Sequence, residues 1–180
     1  MKHLSLREKY WGTALLWTAL IYATLPVMWP VSQFLKTHTP FPLLVNSILL
    51  STLLSLLTVL YKKGKINNLL SLSLLFLSCG GYVSGLFILR YPAERMHFLE
   101  YGFLAFLVFR ALRIDLTERK SYVAAALLTF FLGWIDERIQ FFIPNRYCQF
   151  QDVILNGISG ILALILVFLF RRAKKPGTAP

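Results

Sequence analysis

Apolar residues fill six stretches of the chain, 11–29, 41–61, 69–91, 96–112, 122–142 and 153–170, separated by short polar segments. Each is close to the roughly 20 residues that a helix needs to cross a hydrocarbon core of about 30 Å. The pattern predicts an all-α integral membrane protein, a polytopic bundle of six transmembrane helices, with five as the alternative count. Residues 1–180 are expected to form a single membrane domain, with 171–180 a short basic cytoplasmic tail.

The first stretch follows a basic opening and resembles a secretory signal. It is too long for one and lacks a small-residue cleavage site, so it is expected to be a retained span. Tyr10, Trp11 and Trp29 suit the two membrane interfaces, and Pro26 and Pro30 are expected to close or kink this helix near its outer end. The third and fourth helices should form a tight antiparallel pair turned at Tyr91 and Pro92. Gly81 and Gly85, in GxxxG spacing, should let a neighbouring helix approach the third closely.

Composition strengthens this picture: 57% of the residues are hydrophobic and 15% charged, and the mean hydropathy is +0.62. The net charge of +11 would suggest nucleic acid as a partner in a soluble protein. Here 14 of the 19 Lys and Arg lie in alternate segments: the N-terminal region, the second and fourth loops, and the tail. That asymmetry is the positive-inside pattern and predicts an even number of spans with both termini cytoplasmic, the bilayer rather than nucleic acid being the partner. Cys79 and Cys148 should lie at different depths and are read as free thiols.

Residues 133–160 break the apolar pattern with Asp136, Glu137, Gln140, Arg146, Asp152 and Asn156. A charge at mid-membrane costs roughly 2.5 to 3.5 kcal/mol on insertion scales, so these groups must be paired, hydrated or functional. The topology predicts that they meet Glu94, Arg95, His97, Glu100 and Tyr101, which begin the fourth helix from the same side. His97 with Glu100 or Tyr101, Asp136 with Gln140, and Asp152 with Asn156 are three or four residues apart, so each helix presents one stripe. Asp136 should lie about 9 Å inside the end of its helix, a depth compatible with the other two stripes. Pro144 should stop the fifth helix, Arg146 should fold back over the carboxylates, and Asp152 is expected to cap the sixth helix. Gly157 and Gly160 should let the sixth helix pack closely against another.

The strings ERMHFLEYG, DERIQFFIPNR and DVILNGISG, read together, resemble the VanZ-like family of bacterial membrane proteins over about residues 94–160. Asn145 stands where a Gly commonly precedes the Arg, and Gln149 where a small hydroxyl residue is common. The resemblance implies a protein of the bacterial cell envelope, in the cytoplasmic (inner) membrane, from a family whose founding member is linked to teicoplanin resistance. It identifies a place more than a reaction.

Two functional readings and a structural one follow. In the first, the protein is a hydrolase or transferase acting on a lipid-linked or cell-wall substrate at the outer leaflet. His97, Glu100, Asp136 and Glu137 would move protons. Arg95 and Arg146 would hold an anionic group, while Tyr101, Gln140, Asp152 and Asn156 complete the binding site. In the second, the same groups form a non-catalytic binder of a glycopeptide, a lipid head group or a membrane partner. The structural alternative is an ion network in which the carboxylates neutralise Arg95, Arg138 and Arg146. His97, Glu100, Asp136 and Asp152 are competent metal ligands, but their spacing matches no metal-binding signature, so no metal or other cofactor is assigned. A proton or ion pathway lacks polar residues continuing through the opposite halves of these helices.

Overall fold

The computed structural model describes residues 5–66, 68–144 and 149–172. Six helices account for nearly all of them: α1 (Leu6–His38), α2 (Phe41–Lys62), α3 (Leu69–Ile88), α4 (Pro92–Leu112), α5 (Glu118–Phe141) and α6 (Phe150–Arg171). No strand occurs among the described residues. Four helices, α1, α2, α3 and α6, are long and apolar enough to cross a membrane. The other two, α4 and α5, carry most of the charges of the polar stripes, and α6 carries Asp152.

Burial sorts the helices. α4 and α6 form the most extensive pair and are flanked by α5, α1 and α3, and on α4 the run from Leu104 to Phe109 is buried almost without interruption. The outer helices instead expose large apolar side chains such as Leu16, Leu54, Phe76 and Phe87. A surface of that kind is stable in lipid and would aggregate in water. Close approach at the centre depends on small residues. A methyl group added at Gly81 would come within 2.7 Å of Leu162, one at Gly157 within 2.7 Å of Phe130, and one at Gly160 within 2.9 Å of Thr129. The close approach expected at Gly81 and Gly85 therefore brings α3 against α6 and α4, with Phe98 meeting Gly85.

Ion pairs and hydrogen bonds gather the start of α1, the α2–α3 and α4–α5 connections and the end of α6 at one end of the bundle. Arg7 pairs with Asp115 at 3.1 Å, and Arg171 with Glu118 at 3.0 Å. Lys65 donates to the Arg172 carbonyl, and Arg172 reaches Asn68 and Ser71. Consecutive helices therefore alternate in direction.

Two local expectations change. α1 does not end at its prolines: it continues through Pro26 and Pro30 to His38, 33 residues in all. Each proline removes one backbone hydrogen bond. Leu25 and Ser32, on either side of the two prolines, are both buried, so packing against the bundle overrides the local preference. Asp152, in turn, is not the cap of α6. The helix starts three residues sooner than the apolar run suggests, with Gln149 at the cap position and Asp152 inside the first turn. There the negative charge still favours the helix amides through the macrodipole.

The connection from α3 to α4 is only three residues long, and its turn at Tyr91 and Pro92 is as expected. Glu94 accepts the Tyr91 N–H at 3.3 Å. The Arg95 guanidinium donates to the Leu89 carbonyl at 2.8 and 3.3 Å and to Asn46 of α2 at 2.7 Å. One arginine thereby fixes the turn and fastens α2 to it.

Candidate functional site

At the other end of the bundle, α1, α4, α5 and α6 surround a cavity of about 340 Å³. His97 and Glu100 from α4, Gln140 from α5, and Gln149 and Asp152 from the start of α6 supply its polar lining. The wall contributed by α1 includes Ser32, Gln33 and Lys36, beyond the two prolines. Tyr91 and Glu94 stand at the turn beside it.

The stripe spacing explains these positions. One α-helical turn separates His97 from Glu100, placing the His97 Nδ1 3.8 Å from Glu100 Oε2. That is longer than a hydrogen bond, but close enough for each group to influence the other's charge. Trp17 of α1 donates its indole N–H to the Glu100 carbonyl at 3.0 Å, which seats α1 against this turn of α4.

Behind the cavity wall lies a more enclosed layer. Asp136 and Glu137 are completely buried and Gln140 is 4% exposed. The Gln140 amide donates to Glu137 at 2.8 Å and to Asp136 at 3.4 Å. The second Glu137 oxygen accepts the Gln149 backbone N–H at 3.0 Å. Glu137 thus joins the end of α5 to the cap residue of α6, as the acid of a capping box would do within a single helix. Asp136 faces Tyr101, with Tyr22 of α1 nearby, and Tyr22 is held by the Leu132 carbonyl at 2.7 Å.

Gly133 makes room for the third wall. A Cβ there would approach the Asn156 Cβ to 2.6 Å, and the Asn156 amide donates to the Gly133 carbonyl at 3.4 Å. Asn156 is fully buried, while Asp152, one turn nearer the helix start, is 9% exposed and reaches the cavity.

The expected site residues therefore fall into three groups. His97, Glu100, Gln140 and Asp152 line the cavity. Tyr101, Asp136, Glu137 and Asn156 are buried in the helix packing behind it. Arg95 does not join them, because its guanidinium is committed to Leu89 and Asn46. Arg138 also points elsewhere, its guanidinium lying 5.2 Å from the centre of the Trp134 ring. Arg146, Asn145 and Cys148 lie outside the described residues. Cys79 is a free thiol. Among the described residues, no group of three or more His, Cys, Asp or Glu side chains has a metal-binding arrangement.

Sequence reasoning missed the α1 wall, Trp17, Tyr22 and Gln149. Two signals were present: Gln33 and Lys36 one turn apart beyond the prolines, and two aromatic residues with polar tips inside an apolar run.

No curated protein and no solved structure matches the chain. A family model described as VanZ/LLP1 matches residues 8–171, which takes in all three helices before the segment that carries the motifs. With nearly its whole length matched, the chain belongs to the VanZ-like family.

Proposed function

We propose that this chain crosses the bacterial cytoplasmic membrane six times, with both termini in the cytoplasm and the polar cavity opening on the outer side, and that it is a hydrolase or transferase for a lipid-linked or cell-wall substrate. The observation that carries this reading is the two-layer arrangement: a solvent-reachable His97–Glu100 pair backed by buried, hydrogen-bonded carboxylates. Of the three arginines that a structural ion network would use, Arg95 and Arg138 are engaged away from those carboxylates, and Arg146 lies outside the described residues. Membership of a family linked to glycopeptide resistance supports a role in the envelope.

In this reading His97 takes the proton from the attacking water or hydroxyl, and Glu100 stabilises the imidazolium that forms. Their separation shortens when substrate excludes water from the cavity. The imidazolium then gives that proton to the leaving group, and the Asp152 carboxylate, which faces the same space, orients the substrate. Lys36, whose ammonium lies 5.3 Å from the centre of the Tyr91 ring, replaces Arg95 as the cation for a phosphate or carboxylate. Asp136 and Glu137 act as positioning residues, through Tyr101 and Gln140 respectively.

The test is to incubate the purified protein with lipid-extracted envelope precursors and follow the products by mass spectrometry. Wild-type protein should convert a precursor, and His97→Ala and Glu100→Gln should lower the rate by roughly 100-fold or more while remaining monodisperse in detergent. Unchanged precursors with retained binding would identify a non-catalytic binder instead. Aggregation of both variants would return the site to a structural role.

A further inference from the structure

A second cavity, of about 710 Å³, runs along a different face of α4, bordered by α2 and α6. Its lining is almost wholly apolar, with Leu53, Phe98, Phe103 and Phe106 among its walls and Arg110 and Arg171 at one end. Along α4 it extends from Phe98 to Arg110, about 18 Å at the helical rise and slightly more than one leaflet of the hydrocarbon core. Its volume lies in the range of roughly 300 to 1,000 Å³ that suits a bound small molecule.

The two arginines decide what kind of molecule fits. Arg110 is half-buried and forms no hydrogen bond or ion pair with any described residue. Its guanidinium is held between aromatic rings instead, 4.3 Å from the centre of Tyr10 and 5.4 Å from that of Phe106. Arg171 gives its Nε to Glu118 at 3.0 Å and lies 5.6 Å from the centre of the Phe109 ring. Of the two guanidiniums at the mouth of the apolar slot, only that of Arg171 is paired with a carboxylate among the described residues. An acyl chain suits the slot, and an anionic head group suits its end.

We propose that this groove is a binding site for a phospholipid with an anionic head group, its chain lying along α4 and its phosphate between Arg110 and Arg171. The site is separate from the polar cavity and does not depend on the chemistry assigned there. Trp17, which lines the groove, provides a reporter.

In the test, Trp11, Trp29 and Trp134 are replaced by Phe, and the full chain is placed in phosphatidylcholine vesicles. These contain increasing fractions of either phosphatidylglycerol or phosphatidylcholine with brominated chains. Phosphatidylglycerol should quench Trp17 at a lower mole fraction, with a preference of roughly fivefold for each arginine engaged. Arg110→Gln, which breaks no hydrogen bond or ion pair to a described residue, should reduce the preference about fivefold, and Arg110→Lys should retain most of it. Equal quenching by the two lipids overturns the proposal, as does a preference that survives Arg110→Gln. Absence of quenching by either lipid also overturns it, because the groove would then be covered by protein, a second copy of the chain included.

Discussion

Glu137 and Glu100 have the same side chain and opposite circumstances. Both Glu137 oxygens accept hydrogen bonds, from Gln140 and from the Gln149 backbone, in a site without solvent exposure. Removing the carboxylate takes the acceptor from the Gln149 N–H and leaves Gln140 only its longer bond to Asp136, at roughly 1 to 3 kcal/mol for each bond lost. Glu137→Ala should therefore lower the thermal unfolding midpoint in detergent, with a loss of about 2 to 5 kcal/mol. The side chain of Glu100 is 26% exposed and borders the cavity, so Glu100→Gln should leave the same midpoint nearly unchanged. Equal destabilisation by both would remove the distinction between positioning and acting residues. The clustering itself was legible in the sequence, since spacings of three and four fix which side chains share a helical face. Which residues reach the cavity was not, because that depends on the rotation of each helix against its neighbours.

At the scale of the element, glycines set how near α5 comes to α6, and hence whether Asp136 and Asn156 share a layer. A methyl group at Gly133 would lie 2.6 Å from the Asn156 Cβ, an atom fixed to the backbone that cannot swing away. Gly133→Ala should cost about 1 to 3 kcal/mol through forced separation of the helices. It should also reduce any activity of the cavity. Gly12 is the control: a methyl group there meets nothing within 4 Å, and Gly12→Ala should be neutral or gain about 0.5 to 1 kcal/mol from reduced backbone freedom. Thermal unfolding of the two variants side by side checks both directions. The same scale decides between the two roles that the sequence left to the prolines of α1, a helix end or a kink, against the end. Two prolines four residues apart ordinarily signal a helix end, yet α1 passes through both and brings Gln33 and Lys36 to the site. Local propensity was outweighed by packing, since Leu25 and Ser32 on either side of the prolines are both buried.

Across the whole molecule, charge and shape agree on two unlike ends. Arg7, Lys65, Arg110, Arg171 and Arg172 gather around Asp115 and Glu118 at one end, and the polar cavity lies at the other. The alternation of basic and weakly charged loops made this polarity legible without coordinates. It did not reveal the apolar groove, whose walls come from residues of α2, α4 and α6 far apart in the chain. The proposed orientation puts the basic end in the cytoplasm, where Lys and Arg in short loops are retained. It can be read with single cysteines in a chain lacking Cys79 and Cys148. Lys36→Cys and Tyr91→Cys should react with a membrane-impermeant maleimide on intact spheroplasts, and Lys63→Cys only after permeabilisation. The reverse pattern would turn the cavity toward the cytoplasm and exclude an outer-leaflet substrate. Labelling of positions 36 and 63 from the same side would break the alternation and leave fewer than six spans.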